Sequence, residues 1–253
     1  MMGPPGRRGR CSLSITIAVV IRDGGDVVLV DAGFSRQTCA DPRRSIGWFY
    51  STVLGIRTGE GCAIVDQLTA LGIDPARVRT VVATHLHLDH IGGVVDFPEA
   101  ELICSEAELA AFRKTGRGYR KDDLASCERI RPVAMSGPPR LGFPASHDLF
   151  GDGQVVLLQA IGHTPGHVAV ALRAGETQYV HSGDAADQLW EMGLEPPGPS
   201  LQGRLIAWRT DELVRTYELL RTCVADPCRP ILVPAHDLSV FARLPQAPQG
   251  LSS

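Results

Sequence analysis

The chain has 253 residues, of which 44% are hydrophobic and 21% are charged, and its formal net charge is −3. This composition is typical of a globular protein and excludes a disordered tail and a collagen-like fibre. The small net charge excludes a strong positive field around the whole chain, which disfavours a nucleic acid as the partner. The length suits one domain, which we expect to span residues 1–253 with flexible ends at 1–12 and 240–253.

The chain begins with the pattern of a β-hairpin. Apolar runs at 13–21 and 27–30 flank a polar turn at 22–26, and no signal-peptide cleavage pattern follows the first run. Residues 32–61 show no regular periodicity, and we expect a long loop there. Apolar side chains at helical spacing, followed by a glycine suited to a helix cap, then predict a helix: Ile64, Leu68, Leu71 and Gly72.

The middle of the chain predicts two strands and a second helix. Apolar runs indicate strands at 80–83 and 101–104. Ser105 and Glu108 have the spacing of a capping box, in which each residue caps the other at a helix start. The helix that they begin is predicted to end near Lys114.

The second half of the chain repeats this alternation after a less regular stretch at 115–150. Apolar runs predict four strands: 155–160, 168–172, 178–181 and 231–233. Helical spacing of Leu213, Tyr217, Leu220 and Val224 predicts a helix over 211–224. Strands interleaved with helices in two similar halves indicate an α/β protein, with sheets packed together and helices outside.

The segment 84–93, THLHLDHIGG, holds four candidate metal ligands within six residues: His85, His87, Asp89 and His90. His85 and His87 are two residues apart in an extended segment and can face one point, whereas Asp89 and His90 follow a bend and can face another. Imidazole and carboxylate suit Zn²⁺, and the same donors also accept iron, manganese or cobalt. The motif therefore predicts a site for two divalent metal ions.

Three further segments place candidate ligands beside predicted strands: GHTPGH at 162–167, HSGD at 181–184 and PAH at 234–236. In the first of them, Pro165 and Gly166 favour a type II turn, which would hold His167 rigidly ahead of the next strand. His163 is interpreted as a residue that orients a ligand from behind. His181 and His147 are interpreted as packed or surface histidines.

The set THLHLDHIGG, GHTPGH, SGD and PAHD resembles the metallo-β-lactamase superfamily over about residues 15–238. The resemblance implies a four-layer αβ/βα sandwich with a dinuclear metal site. It implies that the first ion is bound by His85, His87 and His167. It implies that the second ion is bound by Asp89, His90 and His236, and that Asp184 binds both ions. The implied reaction is hydrolysis by a hydroxide that bridges the ions, with Asp89 and Asp184 as catalytic residues and Asp89 helping to move the proton.

Within the superfamily, the stretch from Asp31 to the helix after Ser105 is most similar to N-acyl-homoserine lactonases, which implies a small lactone or ester substrate. Two features depart from those enzymes. Asp187 stands where several of them have tyrosine, and the segment between His90 and His167 is longer, with the surplus expected at 113–140. These departures leave the substrate and the donor to the oxyanion open.

Three alternatives remain: a thioesterase similar to glyoxalase II, a phosphodiesterase, and a non-catalytic metal-binding member. The basic run at 113–121 would serve a phosphodiesterase, but Asp122 and Asp123 offset it, which favours a solvated loop. Loop side chains with apolar character would line an acyl pocket, pack in the core or cover a homodimer interface: Phe34, Trp48, Phe49, Tyr50, Trp190, Met192 and Leu194.

The chain has no apolar run of the roughly 18 residues that a membrane helix needs, so no membrane partner is expected. Seven cysteines occur without a CxxC pair: Cys11, Cys39, Cys62, Cys104, Cys127, Cys223 and Cys228. An odd number without paired spacing indicates reduced thiols, which predicts a cytoplasmic location.

Overall fold

The computed structural model describes residues 15–48, 51, 58–114, 118–125, 127–193, 198–226, 230–242 and 244. The expected flexible end at 1–12 lies outside the described residues, and so does that at 240–253 apart from 240–242 and 244. No helix in the described part of the chain is both long enough and apolar enough to cross a membrane.

The first sheet has five strands in the order in which they occur along the chain: β1 Ala18–Ile21, β2 Val27–Val30, β3 Val78–Val82, β4 Glu101–Ser105 and β5 Ile130–Val133. β1 and β2 pair antiparallel, which confirms the predicted hairpin. The other strands pair parallel. All four residues of β2 are buried, because packed layers cover both of its faces, and this explains its unbroken apolar run.

The second sheet has five strands in the order β10-β9-β8-β7-β6. Their bounds are: β6 Ser146–Asp148, β7 Val155–Gln159, β8 Val168–Ala174, β9 Thr177–Gly183 and β10 Ile231–Pro234. Four of these were predicted. The region 115–150 was expected to be irregular, yet it supplies β5 and β6. Both are edge strands, and β5 contains Pro132 while β6 reads Ser-His-Asp, so neither shows an apolar alternation.

Seven α-helices are described: α1 Arg36–Ala40, α2 Pro42–Ile46, α3 Ile64–Ala70, α4 Leu88–Ile91, α5 Glu106–Arg113, α6 Leu201–Ile206 and α7 Thr210–Val224. The expectation of a long loop at 32–61 is wrong at α1 and α2. These helices have five residues each and begin at Ser35 and Asp41, whose side chains accept hydrogen bonds from backbone N–H groups. They are too short to produce a periodic apolar pattern.

The predicted helices α3, α5 and α7 are confirmed, with one difference at the end of α3. Gly72 caps this helix in the left-handed region, with a φ of 74°. Leu71 was expected on the buried face, but the helix has ended there and its side chain is 62% exposed.

Three apolar clusters define the layers. In β2, Val28 and Val30 face a cluster between the two sheets, while Val27 and Leu29 face a cluster that includes side chains of α3 and α5. In the second sheet, alternate residues of β7 likewise divide between the central cluster and one that includes α7. This alternation gives the order helices, sheet, sheet, helices, and confirms the predicted αβ/βα sandwich.

One edge of the sandwich gathers the polar segments. The parallel strands β2 and β3 both end there, and β8 begins there. The backbone N–H of Val168 donates to the carbonyl oxygen of Thr84 at 2.9 Å, which joins the two sheets at this edge. The motifs singled out in the sequence therefore meet where the two halves touch.

Candidate metal centre

The histidine motif forms the turn between β3 and α4. His85 follows the buried end of β3 and has no exposed surface. His87 is extended and directly precedes α4, so Asp89 and His90 lie in the first turn of that helix. The change from extended to helical backbone at His87 directs the two pairs to different points.

The first group of ligand atoms consists of imidazole nitrogens only. His85 Nε2 lies 3.0 Å from His87 Nδ1, and His163 Nε2 lies 3.1 Å from the same atom. One ligand atom from each of the three residues lies within 4.8 Å of the other two. We refer to His85, His87 and His163 as the three-histidine group.

The second group consists of Asp89, His90 and His236, whose ligand atoms also lie within 4.8 Å of one another. Asp89 Oδ2 is 3.8 Å from His90 Nε2 and 4.0 Å from His236 Nε2. His236 follows β10, so this group draws on both halves of the sandwich. We refer to these residues as the mixed group.

Asp184 follows β9 and lies between the two groups. Its Oδ1 is 3.1 Å from both His90 Nε2 and His236 Nε2. Its Oδ2 is 3.4 Å from His163 Nε2 and 3.8 Å from His85 Nε2. Each carboxylate oxygen therefore faces one group.

The buried polar atoms of the site fit bound cations. Asp184 Oδ1 lies 3.1 Å from two imidazole nitrogens, and His87 Nε2 is buried with no hydrogen-bond partner among the described residues. In the three-histidine group, His85 Nε2 and His163 Nε2 both lie at hydrogen-bond distance from His87 Nδ1. A neutral imidazole carries only one proton, so it has a second nitrogen with a lone pair that can bind a cation. Converging imidazole nitrogens and carboxylate oxygens are the donor set that Zn²⁺ prefers.

The pKa shifts divide the histidines in the same way. Burial lowers the pKa of His85 and of His163 well below the usual value, so both imidazoles are neutral, the form that binds a metal. Burial acts in the same direction on His236, but Asp184 outweighs it and raises the pKa to about 9. For Asp184, burial raises the pKa, yet His90 and His236 hold it well below the usual value.

Asp31 lies behind the candidate ligands His85 and His90. Its buried carboxylate accepts hydrogen bonds from His90 Nδ1 at 2.8 Å and from the backbone N–H and hydroxyl of Thr84 at 2.8 and 3.0 Å. The Thr84 hydroxyl lies 3.1 Å from His85 Nδ1 and accepts its proton. These bonds leave Nε2 of both histidines free for a cation.

This position of Asp31 was not predicted from the sequence. A signal was present, since an acidic residue directly follows a buried strand that ends at the site. Its φ of 62° is left-handed, which aspartate tolerates better than most residues.

His163 and His167 occupy different positions beside the two groups. His163 lies in the three-histidine group, whereas His167 lies in neither group, and its Nε2 accepts a hydrogen bond from the backbone N–H of Asp184 at 3.1 Å. Burial lowers the pKa of His167 to about 4, so this histidine is neutral. The role of His167 as a ligand remains a prediction, and the geometry favours His163 in its place.

The expected type II turn does not form at Pro165 and Gly166. Gly166 lacks the positive φ that this turn requires. Glycine is needed there because a Cβ atom would lie 2.0 Å from the backbone nitrogen of Glu108. The close approach of α5, which the sequence does not show, therefore sets the course of this segment.

The remaining candidates lie outside both groups. His181 Nε2 donates to the carbonyl oxygen of Thr16 at 2.9 Å, and His147 Nδ1 lies 3.2 Å from the carbonyl oxygen of Ala134. Phe34 packs against the core and Trp48 is 65% exposed, while Phe49, Tyr50, Leu194 and the side chain of Met192 lie outside the described residues. In the basic run, Arg120 pairs with Asp123 at 3.5 Å, and 115–117 are not described.

The chain is similar in sequence to proteins named as a metallo-hydrolase and as a lactonase. A probable metallo-hydrolase of Mycobacterium tuberculosis is 38% identical over 176 residues, which are 67% of this chain and 56% of the relative. The chain thus spans little more than half of that relative's length. The N-acyl homoserine lactonase AttM of Rhizobium radiobacter is 31% identical over 247 residues, 94% of this chain and 87% of the relative.

Among solved structures, an N-acyl homoserine lactone hydrolase with the product N-hexanoyl-L-homoserine at its catalytic metal centre has a TM-score of 0.70. It shares 20% sequence identity and covers 92% of this chain and 85% of its own, a likeness that shows the fold. The sequence model of the metallo-beta-lactamase superfamily matches residues 14–201. With that match and the identity to AttM over nearly its whole length, the chain belongs to the metallo-beta-lactamase superfamily.

Proposed function

We propose that this protein is a metal-dependent hydrolase that holds two divalent ions and opens lactones or related carboxylic esters. The observation that carries the proposal is the position of Asp184, which directs one oxygen to each of two ligand groups. The class of substrate is supported by the relative AttM, which is named an N-acyl homoserine lactonase.

The three-histidine group would hold one ion, the mixed group would hold the other, and Asp184 would bind both. Zn²⁺ is the proposed metal, and iron, manganese or cobalt would accept the same donors. When bound, the two ions would lower the pKa of coordinated water and polarise a carbonyl oxygen.

The two acidic residues would then have different tasks. The side chain of Asp184 is only 7% exposed, and its position between the groups suits a fixed ligand. The side chain of Asp89 is 27% exposed, so it reaches the open side of the site. There the Asp89 carboxylate would accept a proton from the attacking water and return it to the departing alkoxide.

Metal analysis and a substrate panel test the proposal together. Reconstituted protein should contain two ions per chain, and one ion or none would contradict the dinuclear site. The panel compares an acyl-homoserine lactone, a simple lactone, an aryl ester, a thioester, a β-lactam and a phosphodiester at equal metal loading. Turnover of the thioester alone would indicate a glyoxalase II-like enzyme, and turnover of the phosphodiester alone a phosphodiesterase.

The cytoplasm is the proposed location. Five cysteines lie in the described residues and all are free thiols, as expected for a reducing compartment: Cys39, Cys62, Cys104, Cys127 and Cys223.

A further inference from the structure

A buried carboxylate outside both ligand groups joins the two loops that supply the three-histidine group. We propose that Glu108 is a positioning residue that fixes the separation of these loops and thereby sets the affinity of the three-histidine group for its ion. This inference rests on the proposed dinuclear function and adds to it a residue that touches neither ion.

Glu108 accepts four hydrogen bonds. Its Oε1 accepts from the backbone N–H of Leu86 at 2.9 Å and from the Tyr119 hydroxyl at 2.8 Å. Its Oε2 accepts from the Thr164 hydroxyl at 2.6 Å and from the backbone N–H of Gly166 at 3.1 Å. Leu86 lies between His85 and His87, and Thr164 follows His163, so one carboxylate connects all three histidines through their neighbours in the chain.

The four donors match the acceptor capacity of one ionised carboxylate. Glu108 has no exposed surface, and no lysine or arginine within the described residues forms an ion pair with it. The hydrogen bonds therefore compensate its burial. A buried acceptor that is fully satisfied restrains its partners, because the loss of any one bond leaves a buried polar group unpaired.

This arrangement departs from the capping box predicted for Ser105 and Glu108. The Ser105 hydroxyl accepts from the Glu108 backbone N–H at 3.1 Å, as predicted. The Glu108 carboxylate faces the site instead of returning to the start of α5. The Ser105 hydroxyl also donates to the carbonyl oxygen of Gly166 at 2.6 Å, so the start of α5 is fixed to the loop that carries His163.

Tyr119 extends the same restraint to the far side of His87. The centres of the Tyr119 and His87 rings are 5.2 Å apart. A Cβ atom at Gly118 would lie 2.4 Å from His87 Nε2, so the backbone there lies directly against the imidazole. His87 is thus held between the loop fixed by Leu86 and the segment fixed by Tyr119.

Glu108→Gln is the sharpest test, because it keeps the shape of the side chain but replaces one of its two hydrogen-bond-accepting oxygens with an NH₂ donor. Each carboxylate oxygen accepts one backbone N–H, so either orientation of the glutamine amide directs its NH₂ group against a backbone donor. The matched control is Glu106→Gln, which removes the same charge from the same turn of α5 at an exposed position.

The measurement is a Co²⁺ titration of the metal-free chain by competition with a chelator, followed by the visible absorption of the bound ion. We expect Glu108→Gln to lower the affinity for one of the two ions about 10–100-fold, which is the usual effect of losing a group that orients ligands. The visible absorption of that ion should change as well. The other ion and the Glu106→Gln control should match the wild type. A purely structural role would lower the stability of the metal-free chain without separating the two ions.

Tyr119→Phe keeps the test decisive if Glu108→Gln does not fold, since it removes one hydroxyl donor and should weaken the same ion to a smaller extent. If both variants bind each of the two ions as tightly as the wild type does, the proposed role of Glu108 is overturned and the proposed function stays intact. A wild-type chain that binds no ion would overturn the proposed function, and this inference with it.

Discussion

Asp184 is the residue on which both ligand groups converge, and its replacement tests whether one carboxylate serves two ions. Asp184→Asn removes the negative charge that faces His90 and His236 at 3.1 Å but keeps the shape of the side chain. We expect loss of at least one of two bound ions and a fall in hydrolysis of at least about 100-fold, because a ligand and its charge are lost together. Metal content and steady-state rates measure this. Asp23→Asn in the exposed hairpin turn is the control with the same change of charge.

Asp31 is a test of orientation rather than of ligation. Asn adopts the left-handed backbone almost as readily as Asp, so Asp31→Asn should leave the fold intact. The amide is a weaker acceptor for His90 Nδ1, and its NH₂ group cannot accept from Thr84. We therefore expect metal affinity to fall about 10–100-fold, with little change in the thermal midpoint of the metal-free chain. Unchanged affinity would show that His90 needs no carboxylate behind it.

At the scale of elements, the sequence predicts those strands and helices that leave an apolar pattern in it. The strands β2 and β7 and the first five residues of β8 are buried on both faces, and their apolar runs are visible without a structure. The edge strands β5 and β6 and the five-residue helices α1 and α2 are stabilised by neighbours and caps, which leave no periodicity. Spacing singled out the candidate ligand histidines, but spacing does not tell which imidazole of His163 and His167 turns toward the site.

The contact between α5 and the loop at 163–167 is an element-scale feature that a single methyl group can test. In Gly166→Ala, the added Cβ would lie 2.0 Å from the Glu108 backbone nitrogen, and backbone cannot yield as a side-chain end can. We expect a loss of about 1–3 kcal/mol in the free energy of unfolding, the usual cost of overpacking. Urea unfolding measures it, and Gly59→Ala is the control because open space surrounds that glycine. A loss no greater than that of the control would mean that α5 can move away freely.

At the scale of the whole molecule, the two halves of the sandwich share the site. His85, His87, Asp89 and His90 follow β3 in the first sheet, whereas His163, Asp184 and His236 belong to the second half. Bound ions would therefore hold the two sheets together at one edge. Each ion at 100 times its dissociation constant would stabilise the folded chain by about 2.7 kcal/mol, so a chelator should lower the thermal midpoint.

The stability of the metal-free chain should fall as the pH rises above about 6.5, whereas the stability of the metal-loaded chain should stay constant. The Asp184 carboxylate raises the pKa of His236 to about 9, and it also raises the pKa of His90. Near neutral pH, His236 is therefore protonated and its positive charge compensates the negative charge of Asp184. The folded state then binds more protons than the unfolded state, whose histidines titrate near 6.5. This stabilisation is complete below pH 6.5 and is lost as the pH rises toward 9, by up to about 3 kcal/mol for His236.

Urea unfolding of chelator-treated protein between pH 6 and 9.5 measures this loss. Metal affinity should change in the opposite direction, because an ion must displace the same protons to bind. The affinity for the ion at the mixed group should therefore rise over this pH range. The zinc-loaded chain is the control, since its ligand nitrogens cannot take up a proton. A metal-free chain that gains stability between pH 6.5 and 9 would show that Asp184 does not hold protons on His90 and His236, and would remove the electrostatic basis for placing the carboxylate between two cations.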